Sequence, residues 1–551
     1  MSAAKSNMSR WLFGPAPDLL IGCGVLYGLL FAAFAFGGSA LREAQPGFIG
    51  PMLIVLVSMP HYGATLLRVY DQSADRRRYA IFSVHITIAM VALFIAGLYV
   101  PWIASALFTV YVTWSPWHYT GQNYGIAVMF LRRGGVDPTP LEKRLLYASF
   151  ILCFALVFLA LHAEGAPVTE GAKSGSGIYF VSIGLPTVVE NTLFPVLVVA
   201  YVGALAGAMA LLGRRGGIAT LGPPSAIALT QALWFAVPFA ARFFDVVQGV
   251  DPLRMQFRGF YFTWIALGHA AQYLWITAYY ARNSNGGQRV GPFLVKTLLA
   301  GNAIWTLPVL LFGSGVMGGL GFSSGLMLLV ASVINLHHFI LDGAIWKLRS
   351  PRIAKALLRP VEASVGSDPI VAQGIPRRLA WLAMCALMGV AGTRYWHEHF
   401  VYPRASRARD FDAMRESLDT LAALGVDRTP ARHRVLRTTA IRDHLLQSRE
   451  ADLASAPSAM GYLQLGDKYH EAGDIEGAVR CYESGLEIQP NLAGLRHRAG
   501  AVWLELGDAR RSLVHLERAL AAEPWNETSR RIAQEARVML ENDAPARILG
   551  Y

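Results

Sequence analysis

Two histidines and an aspartate lie near the end of one long apolar segment, in the stretch V-I-N-L-H-H-F-I-L-D-G-A-I-W-K-L-R from Val333 to Arg349. An ionisable side chain inside a membrane is costly unless it has a partner, so His337, His338 and Asp342 are candidate functional residues. His338 and Asp342 are four residues apart, which places both on one face of a helix. That geometry suits two ligands of one metal ion, or a histidine oriented by a carboxylate. The structural alternative is a pair of histidines that only hydrogen-bond neighbouring helices.

Four more histidines lie within apolar segments of the chain: His61, His85, His118 and His269. At a rise of about 1.5 Å per residue, all six histidines lie about 10–21 Å along their helices from the basic residue that ends each segment. They therefore share one half of the membrane. Two glutamines follow such histidines within about one helical turn, Gln122 after His118 and Gln272 after His269. Five separate helices therefore offer imidazole at a similar depth.

Proline precedes two of these histidines, with Pro60 directly before His61 and Pro116 two residues before His118. Each proline removes a backbone hydrogen bond within the membrane. Kinked helices with freed carbonyl groups commonly line a cavity or a site. The pattern therefore favours a site near these two histidines.

Neutral imidazole binds iron, copper, zinc and haem, and a carboxylate beside histidine is the usual ligand set of non-haem iron. The sequence predicts a metal site, with iron first and haem, copper or zinc as alternatives. Its candidate ligands are His61, His85, His118, His269, His337, His338 and Asp342. Asp342, Gln122 and Gln272 are the candidate catalytic residues, the glutamines orienting a ligand or a bound water.

The scattered histidines and the single doublet His337-His338 resemble, broadly, the histidine-rich membrane oxygenases and desaturases and, faintly, the bacterial carotene dioxygenases. The paired HxxxH and HxxHH boxes of the desaturases are absent. The resemblance therefore implies a metal site and does not extend to the reaction of those families.

The composition predicts a membrane protein, since 54% of the 551 residues are hydrophobic and only 16% are charged. The predicted fold is all-α: a polytopic helix bundle with about eleven spans, residues 1–397, a linker with possible degenerate helical repeats, 398–456, and a helical repeat domain, 457–551. The predicted spans are 17–38, 47–70, 79–99, 101–131, 142–163, 190–212, 225–244, 257–281, 292–313, 318–346 and 376–397. The stretch Ile178 to Leu185 is ambiguous, and the count changes by one if it crosses the membrane.

Basic residues alternate between the loops of this eleven-span arrangement. One set of loops holds Arg76, Arg77, Arg78, Arg132, Arg133, Lys143, Arg144, Arg214, Arg215, Arg282, Arg289 and the segment Lys347 to Arg378, and the other set holds only Arg42, Lys173, Arg254 and Arg258. The net charge of +12 thus reflects topology rather than nucleic-acid binding. The alternation predicts a cytoplasmic N-terminus and an outward C-terminal domain, which in a bacterium lies in the periplasm. The expected location is the bacterial inner membrane.

The C-terminal part resembles the tetratricopeptide repeat. One copy carries Tyr462, Leu465, Gly466, Tyr469, Ala478, Tyr482, Gly485 and Pro490, and a second carries Ala499, Gly500, Trp503, Ser512, Leu516, Ala519 and Pro524, with Gly473 matched by Gly507 at an offset of 34 residues. Thr528 to Asn542 looks like the terminal capping helix. The resemblance implies a module that binds a protein or peptide partner and carries no chemistry of its own.

Together these features predict a membrane metalloprotein that oxidises a lipid-soluble substrate and recruits a partner through its repeats. Three other functions fit the sequence: haem binding for electron transfer, a non-enzymatic scaffold that presents the repeats, and glycosyl transfer from a lipid-linked sugar.

Overall fold

The computed structural model describes residues 10–36, 47–70, 77–164, 178–244, 257–283, 288–314, 317, 321–322, 325–346, 351–358 and 375–548. Every regular element of these residues is helical, which confirms the predicted all-α class. The one strand-like pairing in the described part of the chain is a single bridge between Ala163 and Leu185. Of the basic loop residues, Arg42, Arg76, Lys173, Arg254, Lys347, Arg349 and Arg359 lie outside the described residues.

The chain divides into two units, and the division lies close to the predicted end of the membrane part. The first comprises Met1–Pro403 with Ser417–Arg428, and the second comprises Arg404–Glu416 with Thr429–Tyr551. The first unit contains α1 (Pro15–Gly22), α2 (Val25–Phe36), α3 (Ile49–Tyr70), α4 (Ile81–Tyr99), α5 (Pro101–Arg133), α6 (Pro140–His162), α7 (Thr187–Gly216), α8 (Thr220–Ala241), α9 (Phe257–Asn283), α10 (Val290–Phe312), α11 (Leu326–Ile345), α12 (Pro351–Leu358) and α13 (Ile375–Trp396). α14 (Phe411–Ala423) contributes residues to both units.

Seven of the helices that the structure describes are long and apolar enough to cross a membrane: α3, α4, α6, α7, α8, α10 and α11. α1 and α2 pass the same test as a pair but meet at 60°, so the first predicted segment is a broken helix rather than one straight span. Seven, or eight with this pair, is the number of membrane-length apolar helices among the described residues. The set fits a membrane protein.

The ambiguous stretch near Ile178 is extended rather than helical. It runs along α5, where Ser105 Oγ accepts a hydrogen bond from Tyr179 N at 3.2 Å and Thr109 Oγ1 accepts one from Val181 N at 2.8 Å. Four residues of helix rise about 6 Å, and two residues of extended chain advance about 6.6 Å. The spacing of the hydroxyl groups on α5 therefore matches the spacing of the amide groups on the extended segment. Hydroxyl groups of one helix thus replace the strand partner that an extended backbone needs.

α3 and α10 approach each other backbone to backbone. A Cβ atom added at Gly63 would lie 2.1 Å from the carbonyl oxygen of Thr297, and one added at Gly301 would lie 2.0 Å from that of Met59. Only glycine fits at these two positions. The contact fixes the middle of α3.

Just before this contact, α3 widens into a π turn over Ile54–Ser58, ahead of Pro60. The side chain of Asn302 on α10 donates to the carbonyl oxygen of Val55 at 3.1 Å. A neighbouring helix therefore satisfies a backbone group of the irregular turn, as an apolar surrounding requires.

The second unit is a series of antiparallel helices: α15 (Thr429–Ser455), α16 (Ala459–Glu471), α17 (Ile475–Ile488), α18 (Ala493–Glu505), α19 (Ala509–Ala522) and α20 (Glu527–Ile548). Much of the predicted linker is thus helical. α16–α17 and α18–α19 form two helical hairpins, and buried residues of α16, α17 and α18 share one hydrophobic core.

The turns of the two hairpins have the same geometry 34 residues apart. Gly473 and Gly507 have φ of 82° and 80°, a conformation that glycine adopts readily at a helix end. In the next position, Asp474 caps α17 by accepting from Gly477 N, and Asp508 caps α19 by accepting from Arg511 N. The sequence offset therefore appears in the structure as a repeated helix–turn–helix.

Candidate metal centre

Four histidines from four helices lie side by side in the first unit: His61 on α3, His118 on α5, His269 on α9 and His338 on α11. The ring centres of His61 and His338 are 4.8 Å apart, those of His118 and His269 are 5.0 Å apart, and those of His118 and His338 are 5.1 Å apart. We call these four residues the histidine cluster. Of its members, His61, His269 and His338 are no more than 3% exposed.

Ring nitrogens of His61, His269 and His338 lie within 4.8 Å of one another, and so do ligand atoms of His118, His338 and Asp342. Two bonds of about 2.0–2.2 Å to one ion place neighbouring ligand atoms roughly 3–4 Å apart. Small movements of these side chains therefore suffice to bring their ligand atoms to a common ion. His338 belongs to both groups and links them.

The local structure of α3 orients His61. Its Nδ1 atom contacts the carbonyl oxygen of Ser58, at the end of the π turn that precedes Pro60. A carbonyl oxygen only accepts, so Nδ1 carries the proton and donates. The Nε2 atom of a neutral His61 then has a free lone pair, as a metal ligand requires.

His338 is oriented in the same way by Thr65. The Thr65 hydroxyl lies 3.1 Å from Asp342 Oδ1 and 2.9 Å from His338 Nδ1. The same hydroxyl lies 2.7 Å from that of Tyr273, which donates its own proton to Asp342. Whether the single Thr65 proton goes to Asp342 or to the Tyr273 oxygen, the Thr65 oxygen is left to accept from Nδ1 of His338. The lone pair of His338 is then on Nε2, which is the nitrogen 3.5 Å from Asp342 Oδ2.

Asp342 is held from one side only. Tyr273 donates to its Oδ1 at 2.7 Å, and Trp346 donates in turn to the Tyr273 hydroxyl at 3.0 Å. The other carboxylate oxygen, Oδ2, lies 3.9 Å from His118 Nε2 and 3.5 Å from His338 Nε2. These distances exceed those of good hydrogen bonds, so Oδ2 faces the histidine cluster without being tied to it.

Several nitrogens of the cluster are buried without a hydrogen-bond partner among the described residues: His118 Nε2, both ring nitrogens of His269, and His338 Nε2. Leaving one buried polar atom unsatisfied costs about 1–3 kcal/mol, and most buried polar atoms in proteins are paired. One metal ion would satisfy His118 Nε2, His338 Nε2 and one of the two nitrogens of His269, because it binds one lone pair of each imidazole, and it would neutralise the nearby carboxylate. The donor set therefore suits iron, zinc or copper.

The two predicted glutamines hold helices together around this cluster. Gln122 Nε2 donates to the carbonyl oxygen of His269 at 3.3 Å and to Gln272 Oε1 at 3.2 Å. Gln272 Nε2 donates to the carbonyl oxygen of Gly22, at the break between α1 and α2, at 3.3 Å. Gln122 thus contacts the backbone of His269, and Gln272 contacts the backbone of Gly22, rather than an imidazole ring.

The structure does not bring His85 or His337 to the cluster. His337 points from α11 toward α4, where its Nε2 lies 2.8 Å from the hydroxyl of Thr87. His85 is exposed, and its Nδ1 lies 3.3 Å from the carbonyl oxygen of Ala80 in its own helix. Of the seven predicted ligands, five are therefore close together and two lie apart.

Sequence reasoning missed Thr65 and gave Tyr273 no specific role, although a simple spacing marks both. Each clustered histidine is followed four residues later by a hydrogen-bonding side chain: Thr65, Gln122, Tyr273 and Asp342. Residues four apart on a helix share a face. Three of these four side chains, Thr65, Tyr273 and Asp342, meet in one network.

In comparisons with known proteins, the chain matches no family model, no curated protein and no solved structure. The function is therefore inferred from the chemistry of this site.

Proposed function

We propose that this chain is an integral membrane metalloenzyme, with non-haem iron held by His61, His118, His269, His338 and Asp342. The supporting observation is the group of buried, unpartnered imidazole nitrogens that face one another and a carboxylate oxygen. Four imidazoles and a carboxylate are typical donors for iron that takes part in oxidation. Bound iron would supply the redox chemistry for oxidising a lipid-soluble substrate with dioxygen.

Ring spacing favours a metal ion over haem. The imidazoles of the cluster contact one another edge to face, with centres 4.8–5.4 Å apart for His61 and His338, His118 and His338, and His61 and His269. A porphyrin between two of these rings would have to separate the helices that carry them. A single ion needs no such separation.

We further propose that all eleven predicted spans cross a bacterial inner membrane. α5, α9 and α13 are 33, 27 and 22 residues long, and about 20 residues suffice to span the hydrocarbon core. α5 and α9 carry the polar residues of the site, which lowers their average hydropathy. Counting the α1–α2 pair once and adding these three helices to the seven apolar ones gives eleven, with a cytoplasmic N-terminus and a periplasmic C-terminus.

The second unit, in this proposal, is a tetratricopeptide-type module that binds a protein or peptide partner. Its two hairpins with turns repeated at 34 residues support this assignment. Stacked helical hairpins of this kind form extended surfaces suited to peptide recognition.

Metal analysis of the full chain, purified in detergent, tests the enzyme proposal. We expect stoichiometric iron in the wild-type protein and its loss in His338→Ala, because this change removes a ligand shared by both groups. His337→Ala is the matched control, since the adjacent side chain on the same helix faces Thr87 and should leave the metal in place. Absence of any stoichiometric transition metal, or equal metal content in the two variants, would contradict the proposal.

A further inference from the structure

A cleft reaches the histidine cluster from the outside of the first unit. It has a volume of about 250 Å³ and lies among α5, α9, α11 and α12. His118 and Asp342 line it, so the cleft is continuous with the proposed metal centre. One wall is α12, which Arg133 holds in place by donating from Nη1 to the carbonyl oxygen of Leu357 at 2.7 Å.

The walls of the cleft are mostly apolar. Its aliphatic and aromatic lining includes Ile126, Met129, Ile276, Phe339, Ile353 and Leu357. Two of the polar lining groups are already engaged, since Tyr273 donates to Asp342 and Gln122 donates to the backbone of His269. A ligand with many polar groups would lose its hydration here without compensation.

Three glycines keep the cleft open. A Cβ atom added at Gly121, Gly125 or Gly343 would meet no other atom within 4 Å. Gly121 and Gly125 are four residues apart on one face of α5, and Gly343 is on α11 beside Asp342. Gly121 and Gly343 are exposed, so the cleft opens on the outer surface between these two helices.

We propose that this cleft binds a slender hydrocarbon chain that enters sideways from the bilayer between α5 and α11, with Gly121, Gly125 and Gly343 setting the width of the passage. In the proposed eleven-span arrangement both α5 and α11 cross the membrane, so an opening between them on the outer surface of the bundle is placed to face lipid. The volume lies just below the range of roughly 300–1,000 Å³ typical of ligand sites, which suits a slender ligand such as one hydrocarbon chain. Entry from the bilayer rests on the proposed crossing of the membrane by α5, and the identification of the hydrocarbon chain as a substrate rests on the proposed enzyme function.

Photolabelling tests the cleft without any assay of activity. The full chain is reconstituted in phosphatidylcholine vesicles with a long-chain alkane that carries a photoactivatable diazirine, and the labelled residues are mapped by mass spectrometry. We expect labelling of Phe339 and Met129 to exceed that of Val199, which is 73% exposed on α7. This excess reports occupation of the cleft rather than general contact with lipid.

Filling the passage should remove this labelling. We expect Gly125→Leu to lower the labelling of Phe339 and Met129 roughly tenfold, which corresponds to about 1.4 kcal/mol of lost binding. Gly121→Leu and Gly343→Leu are independent second variants. Gly203→Leu is the matched control, because a side chain there also meets open space but lies on α7, away from the cleft.

Two outcomes would overturn the inference: labelling without preference for the cleft, or labelling that the leucine variants do not reduce in correctly assembled protein. The metal content of the same samples is measured separately. Missing metal with labelled cleft residues would reject the metalloenzyme and keep the cleft. Bound metal with no cleft labelling would keep the metalloenzyme and reject the cleft as a hydrocarbon site.

Discussion

One helical turn after each clustered histidine lies a side chain that hydrogen-bonds near the cluster. Thr65 is one turn after His61, yet it hydrogen-bonds His338 and Asp342 on a different helix. A ligand on α11 is therefore oriented by a residue on α3. Such outer partners fix which nitrogen of an imidazole carries its proton, and so decide whether the ring presents a lone pair to the metal.

Replacing Thr65 by valine tests this orientation. The change keeps the side-chain shape but removes the hydroxyl that His338, Asp342 and Tyr273 share. We expect metal affinity to fall about 10–100-fold, the usual loss when such a partner is removed. The measurement is retention of metal during titration with a chelator.

Thr277→Val is the control for the loss of a buried hydroxyl, since the partners of Thr277 among the described residues are carbonyl oxygens of its own helix, those of Tyr273 and Leu274. It should retain wild-type affinity. Unchanged affinity in Thr65→Val would show that the hydroxyl does not position the ligands.

At the scale of elements, the contact between α3 and α10 decides where His61 lies. Gly63 and Gly301 allow the two backbones to touch on either side of it in the structure. Close backbone approach at small residues is a common basis of helix association in membranes. The π turn and Pro60 then rotate the next part of α3, which directs His61 toward α11.

A methyl group at Gly301 should separate these helices. In Gly301→Ala the added atom would lie 2.0 Å from the carbonyl oxygen of Met59, so backbone has to move. We expect loss of bound metal together with a lower thermal unfolding temperature, measured on detergent-purified protein.

Gly291→Ala on the same helix is the matched control, because a Cβ there meets nothing within 4 Å. It should be neutral or slightly stabilising, since alanine favours helix. Equal behaviour of the two alanine variants would mean that the α3–α10 contact tolerates separation.

At the scale of the whole molecule, the number of spans decides on which side the second unit lies. The proposed odd number places the two ends of the chain on opposite sides, with the basic loops on the side of the N-terminus. The extended segment around Ile178 adds no helical crossing. The broken α1–α2 pair counts as one span in this arrangement.

A reporter fused after Tyr551 tests the span count. We expect alkaline phosphatase at this position to be active and green fluorescent protein to be dark, as in a periplasmic location. The opposite pattern would require an even number of crossings. The α1–α2 pair would then be the first place to look, because a re-entrant pair does not cross the membrane.

The sequence by itself determined which segments are helical and which residue types could bind a metal. Blocks of about twenty apolar residues and a 34-residue period can both be read from neighbouring residues. Helices form through backbone hydrogen bonds between residues four apart, so they do not depend on where the segment packs. The depth of His61, His118, His269 and His338 also followed from counting along single helices. Their common level could therefore be predicted without knowledge of which helices are neighbours.

Only the tertiary structure decided which histidines meet. His337 and His338 are adjacent in sequence, but successive helical residues point about 100° apart, so one faces Thr87 on α4 and the other faces Thr65 on α3. Which helices lie next to α11 decides which partner each histidine meets, and no local sequence pattern predicts these neighbours. The same holds for Ile178 to Leu185, whose extended form depends on hydroxyl groups that α5 presents to it from more than seventy residues away.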